Sequence, residues 1–189
     1  WIAGRENGRP FLGFFDATTG NFINKVAISA TNYGLVRNIA IHNNLIYAVG
    51  SFSSQLTFGG STTFTASGSY DGFISTFDLN GNFQQAIHVS STDVLYVHDI
   101  SLDQSSNSYI SVSTRGSIAF NNPNSDTYTK ASGLVDLVLF KLDALFNVLW
   151  SNKVETADYN TNIHDYNFPL SLFQDEHVVY GATAFQDLK

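Results

Sequence analysis

Two stretches of this chain are written twice. LIYAVGSF (Leu45 to Phe52) and DGFISTFDLNGNF (Asp71 to Phe83) return, with edits, as SYISVSTR (Ser108 to Arg115) and VDLVLFKLDALFNVLW (Val135 to Trp150). Asp71 to Asp136 and Asp78 to Asp143 are both steps of 65 positions. A chain that repeats at such a period, in short strands and turns, builds itself from stacked β units, each burying its apolar face against a neighbour.

The strand signals come in sets of four. In the clearest unit they are 36–42, 45–52, 72–78 and 83–89, with Asn43-Asn44 and Asn80-Gly81 supplying tight turns that need positive φ. The next unit repeats the plan over 97–102, 109–115, 137–142 and 148–154. Upstream, WIAGRE and PFLGFFDATTGNF followed by INKVAIS read as second, third and fourth strands without a first; Asp16 to Asp78 is a step of 62. Downstream, PLSLF and VVYGATAF read as a first and second strand. The strand at 137–142, Leu-Val-Leu-Phe-Lys-Leu, is apolar almost throughout, which in an antiparallel unit predicts burial on both faces. No helical period appears.

The matching stretches YAVGSF, LTFGG, DGFISTFDLNGNF and VDLVLFKLD with FNVLW resemble the β-propeller repeats of the SBBP type, over nearly the whole chain. Phe146 in place of the turn Gly, Arg115 in place of an expected Gly, and a first copy without a long loop depart from the pattern. The resemblance implies an all-β propeller array, with blade parts near 1–30, 35–90, 96–155 and 166–189. Two complete four-stranded blades would then stand between two partial ones. It also implies an extracellular or cell-surface protein and no reaction, since such families serve as scaffolds and binding modules.

Composition narrows the partners. Nine Lys and Arg against sixteen Asp and Glu give a formal charge of -7, and no basic run exists, so nucleic acid is not expected as a partner. With no Cys, disulfides and thiolate metal sites are excluded. No long apolar run predicts membrane insertion. The chain opens at Trp1 inside an apparent strand, so the expectation is a piece of a longer polypeptide or assembly.

In propeller geometry, the connections from second to third strands and from one blade to the next share one face. Here these are the long ones: 53–70, 116–134, 30–35, 90–96 and 155–168. Loops on a rigid frame are the default binding surface, although they can also fold over neighbouring units. Among them stand Tyr70, Tyr96, Tyr128, Tyr159 and Tyr166, with apolar faces and polar tips suited to protein or glycan. Tyr70, Tyr128, Tyr159 and Tyr166 are the expected partner-binding residues; the competing reading has each of them cap the seam between blades.

Other patterns are weaker. His98-Asp99 and His164-Asp165 invite a metal reading but lack further ligands. Asp78-x-Asn80-x-Asn82 has calcium-loop spacing, but its Gly precedes the third ligand and no Glu closes the loop, so Asp78 reads as a turn residue. Glu6, Asp16, Asp99, Asp103, Asp136 and Asp143 are candidates for a glycosidase pair, yet most fall at repeated hairpins. Gly59-Gly60 is too little for a phosphate loop. No catalytic residue, cofactor or metal ligand is assigned. The function expected is a non-enzymatic structural or recognition module. The alternatives are a propeller enzyme acting on polysaccharide and a subunit of a filament or surface assembly.

Overall fold

The computed structural model describes residues 1–130, 135–154, 171–174 and 179–182. The protein is all-β, in several antiparallel sheets, with no helix among the described residues. Strands β1 (Ile2–Glu6), β2 (Arg9–Phe15) and β3 (Phe22–Ala27) form a first sheet in that order. A middle sheet runs β5 (Gly34–His42), β6 (Leu45–Phe52), β9 (Asp71–Asp78), β10 (Phe83–Ser91). The third runs β11 (Leu95–Leu102), β12 (Ser108–Thr114), β15 (Asp136–Leu142), β16 (Val148–Val154). Strands β17 (Ser171–Gln174) and β18 (Val179–Ala182) pair separately.

The middle and third sheets are copies at the level of register. Phe73 faces His88 and Val138 faces Lys153, so the third and fourth strands both step by 65. Tyr47 faces Thr76 and Tyr109 faces Lys141, so the second strands step by 62 (109−47). Ungapped matching of LIYAVGSF to SYISVSTR, a step of 63, is therefore one residue out. Hydrogen-bonded partners align Tyr with Tyr and Ser51 with Ser113, because a one-residue slip would turn every side chain to the other face. The first strands step by 61: each carries a bulge, at Arg37 between Val36 and Asn38 and at His98 between Val97 and Asp99.

The middle sheet is buried on both faces. Ile46, Ala48, Phe73 and Phe77 join Leu12 of the first sheet in one core, while Tyr47, Val49 and Ile74 join Val112, Val138 and Phe140 of the third in another. Alternate residues of one strand thus enter different cores, as the near-continuous apolar runs require. Phe77 and Leu142, 1% and 0% exposed, occupy equivalent places, each facing the preceding sheet.

The long connections fold back as structure. Residues after β6 form the hairpin β7 (Gln55–Phe58) and β8 (Thr62–Thr65), and β7 pairs with β4 (Ser29–Ala30) in the junction before the middle sheet. Residues after β12 form β13 (Ile118–Phe120) and β14 (Thr127–Tyr128), and β13 extends the middle sheet beyond β10. Leu56, Phe58, Ile118 and Phe120 are buried through these additions, so much of the loop sequence ties one unit to the one before it.

Candidate functional site

The two ends of the stacked sheets differ in chemistry. The exposed large hydrophobics among the described residues are Ile2, Phe15, Phe22, Ile23, Ile41, Leu79, Leu145, Leu149 and Trp150. All stand at or beside the end that carries the 16–21, 43–44, 79–82 and 144–147 turns, and none at the end carrying the long connections. Trp1 approaching Gly81, and Asn43 bonded to Ser106 at 3.1 Å, show that the hairpins of the three sheets lie at a common end.

The hairpins there follow one design. Asp78 Oδ1 accepts the backbone N–H groups of Asn80 and Asn82 at 2.8 and 2.9 Å, and Oδ2 accepts Asn82 Nδ2 at 2.8 Å. Asp103 with Ser105 and Asn107, and Asp143 with Leu145 and Asn147, repeat these bonds. The fourth residue of each loop has positive φ: Gly81 at 86°, Ser106 at 64°, Phe146 at 63°. The carboxyls consequently lie below the ordinary range. For Asp78 the Asn82 side chain is the main cause; for Asp103 and Asp143 burial pushes upward and the Asn107 and Asn147 bonds outweigh it. Asp16 is likewise lowered, chiefly by the Thr19 backbone. These acids serve turns, as read for Asp78 in the sequence.

Asp71 and Asp136, one per repeat, are buried and served differently. Asp71 Oδ2 meets His88 Nε2 at 2.7 Å and the Ser67 N–H at 2.8 Å, while Oδ1 accepts the Ser91 N–H at 3.0 Å. Asp136 Oδ1 meets Lys153 Nζ at 3.0 Å, and its Oδ2 accepts the Tyr128 hydroxyl at 3.0 Å. His88 and Lys153 are register equivalents, so each repeat sets a basic fourth-strand residue on its buried acid.

His98 is 4% exposed, and its Nε2 stands 2.7 Å from Ser113 Oγ. Burial, followed by the Arg37 charge, brings its pKa down to about 3, so the ring is neutral. Asp99 is bonded to Asn38 and to the Ile100 N–H at 2.8 Å. No group of three or more His, Asp and Glu side chains placed to hold a metal occurs among the described residues. His164, Asp165, Tyr159 and Tyr166 lie outside the described residues.

The remaining expected tyrosines separate. Tyr128 is half-buried, edge-on to Phe140 at 5.9 Å, with its hydroxyl spent on Asp136; burial, the Asp136 hydrogen bond and its charge push that hydroxyl up to about 12. Such geometry seals a seam. Tyr70 instead joins an arc at the long-connection end. Its ring centroid stands 5.4 Å from that of Tyr33, edge to face, and 5.3 Å from that of Tyr96. The Arg5 guanidinium lies 4.7 Å from the Tyr33 ring centre. Arg5 comes from the first sheet, Tyr33 and Tyr70 from connections around the middle sheet, and Tyr96 from the first strand of the third. Tyr33 and Arg5 were not marked by sequence reading. The signal was present in the Ala30–Leu35 connection, but only the contact across units makes Tyr33 part of a site.

Among the described residues, the first sheet has no long connection at this end. Asn7-Gly8, with φ of 52° and 80°, turns β1 straight into β2 as a tight hairpin, and Arg5 beside it is exposed. The Tyr33 and Tyr70 hydroxyls make no hydrogen bond among the described residues, and both rings are half-buried. No protein-family model and no curated protein matches this chain.

Proposed function

We propose that the chain is part of a β-propeller, its middle and third sheets being two blades, and that it works as a non-enzymatic recognition module. The arc Tyr33, Tyr70 and Tyr96 is the observation that carries this reading. The half-buried rings of Tyr33 and Tyr70, with the buried Tyr96 against Tyr70, form a rigid aromatic surface across successive units that costs little side-chain entropy on binding. An extracellular or cell-surface place, within a longer chain or assembly, follows from the SBBP-type resemblance. The test is binding by the 189-residue chain to immobilised glycans and to collagen and fibrinogen, repeated with Tyr33→Ala and Tyr70→Ala combined. Binding that depends on the arc supports the reading; no arc-dependent binding to any probe overturns it.

A second reading, assembly through the hairpin end, is favoured by the gathering of exposed hydrophobics there, including Leu145 at 62% and Leu149 at 52% exposure. Sedimentation showing oligomers that Leu145→Ser with Leu149→Ser disperses would support it.

A further inference from the structure

We infer that the arc is a binding site for a neutral glycan, with Tyr70 and Tyr33 taking the apolar faces of sugar rings and Arg5 and Asp93 flanking them to hold hydroxyls. This inference rests on the recognition reading and assigns its ligand class. A glycan presents two things together: C–H faces that stack on aromatic rings, and adjacent hydroxyls that bridge a planar donor or a planar acceptor. Both kinds of planar group are present. Arg5 is exposed, with no carboxylate within ion-pair distance among the described residues. Asp93 is exposed too, and has no cationic partner there.

Asp93 is fixed beside Tyr70. Its carbonyl accepts the Ser69 N–H at 2.8 Å and the Tyr70 N–H at 3.5 Å, and the Leu95 N–H donates back to the Tyr70 carbonyl at 2.9 Å. Two glycines permit this closeness. A Cβ on Gly68 would stand 2.0 Å from the Asp93 carbonyl oxygen, and one on Gly116 2.6 Å from its nitrogen. The turn bearing the acid is therefore clasped between the two long connections. Arg5 on the Tyr33 ring and Asp93, whose backbone is bonded to that of Tyr70, bring one charge of each sign to this region, which fits a neutral ligand better than a polyanion.

A protein partner fits less well. Tyr and Arg also anchor protein interfaces, but the exposed aliphatic, Phe and Trp side chains that would complete a desolvated apolar centre stand, among the described residues, at the opposite end. What the arc offers is ring faces, unspent hydroxyls and planar polar groups.

Cellohexaose, mannohexaose, xylohexaose and chitohexaose, with heparin, collagen and fibrinogen alongside, are titrated against the 189-residue chain by saturation-transfer NMR and calorimetry. At least one neutral hexasaccharide should bind. Tyr70→Ala and Arg5→Gln should each weaken it by about tenfold or more, equivalent to a lost anchor. Asp93→Asn should weaken it less, and Tyr70→Phe, which keeps the ring and guards against misfolding, should bind nearly as the parent does. Binding of a hexasaccharide that ignores Tyr70→Ala and Arg5→Gln overturns the inference, as does binding of heparin alone. Arc-dependent binding of collagen or fibrinogen without any hexasaccharide overturns the glycan assignment and leaves recognition standing. Arc-dependent binding of nothing overturns both.

Discussion

Asn38 and Asp99 hold the same position, one residue past the bulge, on the first strands of consecutive sheets, and Asn38 Nδ2 donates directly to Asp99 Oδ1. Each also accepts the backbone N–H of the next residue, Ile39 at 2.6 Å and Ile100 at 2.8 Å. The bulge thus turns a repeated side chain along the stack, so that one copy bonds the next.

Asn38→Asp sets two carboxylates against each other at a site where Asp99 is 4% exposed, and should cost about 2–3 kcal/mol in urea denaturation. Asp99→Asn combined with Asn38→Asp restores one amide and one acid with the roles exchanged. Most of the loss should return in the double variant, giving a clear coupling energy. Additive losses would show that the two residues act separately.

His98 predicts a pH dependence. Its folded pKa, about 3, lies far below the ordinary value of 6.5, so between these values the unfolded chain binds the proton and the folded chain does not. Its contribution to stability is complete above pH 6.5 and is lost as pH falls toward 3. The slope approaches about 1.4 kcal/mol per pH unit within that window. Urea midpoints at pH 7.5, 6 and 5 should fall in the parent and change much less in His98→Gln. The lowered hairpin acids act only nearer and below the ordinary carboxylate range, so they do not mask this difference at pH 5 and above.

The repeat was legible because it is carried by main-chain needs. Asp at turn entrances, Asn or Gly at positive φ and apolar runs in doubly buried strands all leave marks in one sequence. The second-strand register was misread by one because Ser108 and Leu45 begin similar strings, whereas partners across the ladder decide the alignment. Tyr128 and Tyr70 could not be told apart in sequence. Both are tyrosines beside long connections, and only Asp136 below one and Tyr33 beside the other separates a seam from a surface. The folding of the loops into β7–β8 and β13–β14 likewise depends on edges offered by other units.

Phe146 sets strain against burial. It adopts φ of 63° where the preceding repeat has Gly81, yet its side chain is 1% exposed and meets Tyr47 edge-on at 6.3 Å. A left-handed non-glycine residue costs roughly 1–2 kcal/mol, whereas removing a buried Phe costs about 3–5. Phe146→Gly should therefore lose about 1–4 kcal/mol net in denaturant titration. A neutral or stabilising result would mean that the ring adds little to the core between the middle and third sheets.

Tyr128→Phe distinguishes a seam residue from a binding residue. The hydroxyl donates at 3.0 Å to Asp136, an acid 1% exposed that otherwise has Lys153 at 3.0 Å and Lys130 at 3.7 Å. Burial raises the Asp136 pKa, but the Lys153 and Tyr128 bonds and the lysine charges outweigh it and keep the acid ionised. Removing one donor while both lysines remain should cost about 1.5–3 kcal/mol, the scale of a hydrogen bond to a charged group. Thermal melts should show that loss, and glycan titrations should match the parent, since the lost hydroxyl points inward. Tyr70→Ala should do the reverse for binding, weakening it by about tenfold or more, while Tyr70→Phe should melt and bind nearly as the parent does. A Tyr128→Phe variant that melts like the parent but binds poorly would move the site from the Tyr33–Tyr70 arc to the β13–β14 hairpin.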